Sequence, residues 1–184
     1  MEYLLNNKIW IVKNMGFKIT WKFLNIGLKG YDVLTPQISK EDIFDFVDSL
    51  LTRVNDETDN IVSLICVKGN NMQSNELIQE LADNDDSKND IQFRKWQVFL
   101  LKKVIDKRIA DPFEGILSLQ EFWASMGVPS NMPTFFPRFA NSNEAKIFYS
   151  KPSYDNIINV VSAWQSQEIT AIINAEKHIK TNIE

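Results

Sequence analysis

The sequence predicts an all-α fold, a single-domain bundle of seven or eight helices, and three observations carry that expectation. Apolar residues recur at three- and four-residue spacings, as in Ile43, Val47, Leu50, Leu51 and Val54, which is the period of one helix face. Helix start and stop signals punctuate these runs, most clearly Asp111-Pro112 and Gly127. No alternation of strand and helix patterns appears, so a parallel sheet with crossover helices is not expected. Stacked helix pairs would also fit, although no fixed-period repeat marks a solenoid.

The elements follow in chain order. Residues 1–18 are ambiguous: Tyr3-Leu4-Leu5 and Ile9-Trp10-Ile11-Val12 suit a short strand or a hydrophobic arm. From Thr20 the spacing of Trp21, Leu24 and Leu28 is helical, and Gly27, Gly30 and Pro36 break it. Ser39 can cap the next helix, with Glu41 and Asp42 near its positive end. Asp59 can cap a helix over 61–67 that is apolar nearly all round and so is expected to be central. Ser74 precedes a short helix with Leu77, Ile78 and Leu81 inward, and residues 82–92 read as a polar loop.

Residues 91–107 form a helix with Phe93, Trp96, Leu100 and Val104 in line. The helix opened by Asp111-Pro112 carries Phe113, Ile116, Leu119, Phe122, Trp123 and Met126. Trp96 and Trp123 are expected in one buried cluster with Phe99 or Leu100 and Phe122. Residues 128–143 are irregular, and one long helix covers about 153–179, where neither Gly nor Pro interrupts.

The bulk numbers bound the function. A chain of 184 residues can bury ~70% of its unfolded surface in one domain, taken as 1–184. A formal net charge of −4 argues against a nucleic-acid binder, which carries a basic surface. With one cysteine, Cys66, no intrachain disulfide can form, which fits a reducing compartment. Its apolar flanks predict a buried, inert thiol. No apolar run reaches the ~18 residues of a membrane span, and no secretion signal is evident. The expectation is a cytoplasmic protein without membrane contact.

The search for chemistry returns little. The single histidine, His178, lies beside Lys177 and Lys180 at the chain end and suits a solvated helix terminus. One His and one Cys do not make a zinc site, and no Gly-rich phosphate cradle is present. No cofactor and no metal are expected. Carboxylates are the plentiful reactive groups. Asp83, Asp85, Asp86 and Asp90 form the densest set, without the glycine or terminal Glu of a calcium loop. They read as a solvated loop, or as an acidic patch that meets a partner. The basic run Arg94, Lys95, Lys102, Lys103, Lys107 and Arg108 reads as a solvated helix face that pairs with this loop. Glu168 stands apart. It falls on the stripe of Ile157, Val161, Trp164, Ile172, Ala175 and Ile179, so its carboxylate is expected to pair with a basic residue of another helix, or to serve as a functional acid.

Several segments together carry a resemblance: ITWKFLNIGL at 19–28, LTPQIS at 34–39, ELIQEL at 76–81, RKWQVFLL, ADPFEGILSLQEFWASMGVPSNMPTFF, and AWQSQE at 163–168. The chain resembles a family of small bacterial proteins known as a domain of unknown function, over roughly residues 19–170. The resemblance implies an all-α fold. It also suggests an immunity-type role, because such proteins are similar to others encoded near delivered toxins. It supplies no catalytic residues.

Two functions follow as expectations. One is a non-catalytic binding protein that neutralises a basic toxin domain or engages another bacterial protein through Asp83, Asp85, Asp86 and Asp90. The other is a carboxylate-dependent hydrolase or small-molecule binder that uses Glu168.

Overall fold

Short polar side chains set where the helices of this chain begin. The computed structural model describes residues 7–51, 59–127, 132–133 and 138–177. Among them are nine α-helices and, apart from one Tyr31–Leu34 bridge, no β-structure. They are α1 Lys8–Asn14, α2 Trp21–Lys29, α3 Lys40–Leu51, α4 Asp59–Cys66, α5 Asn71–Asp83, α6 Asn89–Lys107, α7 Pro112–Ser125, α8 Ser142–Phe148 and α9 Lys151–Glu176. Asn7, Thr20, Asn70, Asp111 and Asn141 stand at N-cap positions, and each side chain accepts from a first-turn amide. At Ser39 the cap is reciprocal: Asp42 N donates to Ser39 Oγ, and Ser39 N donates to Asp42 Oδ2. The all-α expectation holds. The two helices that the sequence pattern did not mark are α1 and α8.

By its contacts the chain divides into two compact units, residues 1–96 with 172–184, and residues 97–171. In the first unit, α1 packs on α3, α2 on α5, and α4 on both α3 and α5. The ambiguous N-terminal stretch is therefore helical from Lys8, and the strand reading is corrected there. Asn7 supplies the cap, and Ile9, Trp10 and Val12 are buried. Four consecutive apolar residues could not distinguish a helical period from an alternating one.

Gly27 does not break α2, contrary to the sequence reading. It lies inside the helix and is buried, because the Trp96 indole occupies the space where a side chain would stand. That indole stacks on Phe23 with ring centroids 4.5 Å apart, and its Nε1 donates to the Phe23 carbonyl. Gly30 ends the helix instead, at φ 86°. The α4 expectation is also corrected. Ile61 and Leu64 are buried, but Val62 and Cys66 are exposed, so α4 is peripheral and its thiol is not a core group. The polar loop is shorter than composition suggested, because α5 runs to Asp83 and α6 begins at Asn89.

The second unit is built on the large apolar side chains of α7 and the first part of α9, with Leu101 of α6. Leu101, Ile116, Leu119, Phe122, Trp123, Tyr154, Ile157, Val161 and Trp164 form one buried cluster. Trp123 makes edge contacts with Phe122 and Trp164, both at 5.0 Å. Gly115 is buried against the Tyr154 ring, where a Cβ would come within 2.5 Å. Trp96 and Trp123 are both buried, but they do not share a cluster. Trp96 belongs to the first unit with Phe23, and Trp123 to the second. Residues 128–131 and 134–137 of the expected irregular segment lie outside the described residues, as do Val54 and His178.

Candidate functional site

The buried face of α5 determines what its other face presents. Ser74, Ile78, Leu81 and Ala82 turn inward. Glu76, Glu80 and Asp83, three and four residues apart, are thereby left on the outer face, and all three are exposed. Met72, one turn before Glu76, is 71% exposed. Past the helix end, Asp86 and Asp90 are exposed as well. Against these carboxylates stand the exposed Lys29 and Lys88. The surplus of negative charge on one side of the unit is suited to drawing in a basic partner.

Asp85 differs from its neighbours in the acidic run. It is half-buried, and its carboxylate accepts from Lys22 N at 2.9 Å and Ser87 N at 2.8 Å. The Lys22 ammonium in turn donates to the carbonyls of Asp85 and Ser87. The loop is thus fastened to the first turn of α2, where a carboxylate also complements the positive helix end. Of the four acids read from the sequence as partner-binding, Asp83, Asp86 and Asp90 face solvent, and Asp85 is committed to the fold. Asp85→Ala is expected to cost about 1–2 kcal/mol, the range for loss of a capping acceptor, while Asp86→Ala leaves the urea melt unchanged. Equal midpoints for the two variants would show that the Asp85 contacts carry no stability.

Two clefts open beside the acidic face. One, of about 480 Å³, lies along α5 between Lys29 and Glu76, Gln79, Glu80, Asp83 and Asn84. The other, of about 280 Å³, is walled by Lys22, Asn25 and Lys29 of α2, Tyr31 of the following turn, and Gln79 and Asp83 of α5. A chain of hydrogen bonds crosses it. Asn25 Nδ2 donates to Gln79 Oε1 at 3.3 Å, the Lys29 ammonium donates to the same oxygen, and Gln79 Nε2 donates to Asp83 Oδ1 at 2.7 Å. Sequence reading missed these amides, since Asn and Gln on a helix surface carry no pattern that marks them.

One buried acid on α9 that the sequence reading did not single out, Glu176, is paired with a basic residue of α6. Lys95 of α6 forms an ion pair with Glu176, and their side chains are 0% and 2% exposed. Lys95 also donates to the Lys18 carbonyl at 2.5 Å and to Gln92 Oε1 at 2.7 Å, and it lies over the Phe23 ring. No hydrogen bond of ordinary geometry reaches either Glu176 oxygen. Glu168 is buried, 7% exposed, and it is not without an interaction partner. It lines neither cleft.

The basic run is likewise redistributed. Lys95 is internal, Lys102 pairs with Asp106 one turn on, and Lys103 lies 4.7 Å over the Phe99 ring. The acidic partners of Lys95 and Lys102 are Glu176 and Asp106, both outside the 83–90 loop.

Among the described residues no three His, Cys, Asp or Glu side chains converge as metal ligands would. No described helix is long and apolar enough to cross a membrane. What the arrangement offers is an acidic, amide-lined surface that can accept hydrogen bonds from a positively charged group. A family model described as "uncharacterized protein conserved in bacteria (DUF2247)" matches residues 10–169. No curated protein and no solved structure matches the chain.

Proposed function

The chain belongs to the DUF2247 family of bacterial proteins, and we propose that it is a non-catalytic protein-binding domain whose acidic α5 face engages a basic bacterial partner. The observation that carries this reading is the division of labour among its charged groups. Lys95 and Glu176 are consumed inside the fold, whereas Glu76, Glu80, Asp83, Asp86 and Asp90 stand exposed together along α5 and the loop after it. The most specific form of the proposal is immunity: the domain covers the basic face of a toxin and is stored with it. The exposed, free Cys66 suits action in the reducing cytoplasm.

Affinity capture from the native bacterium, followed by binding kinetics on the captured protein, tests the reading. Glu76→Lys with Glu80→Lys is expected to slow association at least ~10-fold at low salt, and the difference is expected to shrink as salt rises. A captured partner that binds this variant at the native rate at all salt concentrations would place the interface elsewhere.

A further inference from the structure

We propose that the cleft between α2, the turn at 30–34 and α5 receives an arginine side chain of the basic partner. This rests on the binding role proposed above and names its central contact. The argument begins with what the cleft's own hydrogen bonds leave over. Both the Asn25 amide nitrogen and the Lys29 ammonium are spent on one Gln79 oxygen, and the Gln79 nitrogen is spent on Asp83. Asn25 Oδ1 is buried and has no hydrogen-bond partner. Turning that amide over would set its oxygen 3.3 Å from the Gln79 oxygen, so the assignment stands. A buried acceptor without a donor is a free-energy cost that a ligand can remove.

The demand is for donors, and for positive charge. Asp83 is exposed and Glu80 stands one turn before it on the adjoining groove. A guanidinium meets both needs: it carries five N–H donors in a planar fork, stays charged, and loses its hydration more readily than an ammonium. Tyr31 lines the same cleft and is 38% exposed, which offers a ring face to a planar cation. The Lys29 ammonium, on an exposed side chain, occupies the shared Gln79 oxygen. It acts as a placeholder that swings out when the guanidinium enters, whose fork then donates to the Gln79 and Asn25 oxygens.

The test uses the full-length protein, labelled with nitrogen-15 and titrated with N-acetyl-arginine amide. Saturable shifts are expected at the side-chain amides of Asn25 and Gln79. N-acetyl-lysine amide is expected to bind more weakly, and Asp83→Asn to lower the arginine affinity about 10-fold, the loss of one charge-assisted hydrogen bond. Lys29→Ala, which removes the competing cation, is expected to raise the affinity. Shifts that spread equally to the exposed Glu121 and Asp155 of the second unit, or that are untouched by Asp83→Asn, would overturn the site. If the charge-reversal variant abolishes partner binding while Asn25 and Gln79 stay silent to arginine, the site falls and the binding role stands. If arginine binds as described but no partner is captured, the site stands and the binding role falls.

Discussion

Trp123→Ala is expected to lower the unfolding free energy by ~3–5 kcal/mol, the range for truncating a large aromatic in a packed core. Trp123 is 0% exposed and closes the second unit's cluster from α7, with Phe122 and Trp164 edge-on at 5.0 Å. Such aromatic pairs add to the area term, and neither neighbour can fill the space left without leaving its own contacts. Phe113, on the same helix but 47% exposed, is the control, and its alanine variant is expected to stay within ~0.5 kcal/mol of the native protein. Urea melts check the magnitude. Hydrogen exchange checks the place: protection should fall in α7 and the first part of α9 before it falls in α2 and α5. A Trp123→Ala loss no larger than that of Phe113→Ala would mean that the cluster does not hold this unit together.

Legibility from sequence followed the range of the interaction. Caps are local, and Ser39 and Asp111 marked their helices correctly, whereas Ser74 lies inside α5, which Asn70 caps. Most core residues of α7 and α9 were legible too, as were Ile43, Val47 and Leu50 of α3, because a three-to-four spacing sustained over several turns admits one periodic reading; Phe113 and Ala175, at the ends of their stripes, are exposed. Short elements were not. α1 and α8 have seven residues each, too few for a period to declare itself. Cys66 was misjudged because a largely apolar run of seven residues, 61–67, on a peripheral helix looks the same as one in the centre.

The candidate site was less legible than the fold. The acidic run announced itself, but nothing in it told Asp85 from Asp86. The distinction depends on Lys22 and Ser87, one of which is 63 residues away from Asp85. Gly27 shows the same limit, since a glycine in a helical pattern reads as a break unless the ring of Trp96 is known to press on it. The cleft amides Asn25 and Gln79 lie 54 residues apart and acquire meaning only from their juxtaposition.

Glu176 is the sharpest case, and Lys95→Met is expected to cost ~3–5 kcal/mol because it strands that carboxylate in the core. The stripe on α9 was followed through Ile172 to Ala175, yet Ala175 is exposed and Glu176, one turn past Ile172, is 1% exposed. The ion pair with Lys95 is asymmetric. The ammonium has the Lys18 carbonyl, Gln92 Oε1 and the Phe23 ring besides Glu176. The carboxylate has no hydrogen bond of ordinary geometry, so Lys95 is its main support. Glu176→Gln therefore removes the charge that is poorly held and leaves Lys95 with its carbonyl partners, so it is expected to cost less than Lys95→Met. The double variant Lys95→Met, Glu176→Leu removes both desolvated charges and is expected to recover most of the loss, since apolar replacement of a buried pair is often neutral or stabilising. The three variants form a thermodynamic cycle read by urea denaturation at neutral pH. A Lys95→Met loss no greater than that of Glu176→Gln, or a double variant as unstable as Lys95→Met alone, would show that the last turn of α9 is held in the first unit by its apolar contacts and that the ion pair is incidental.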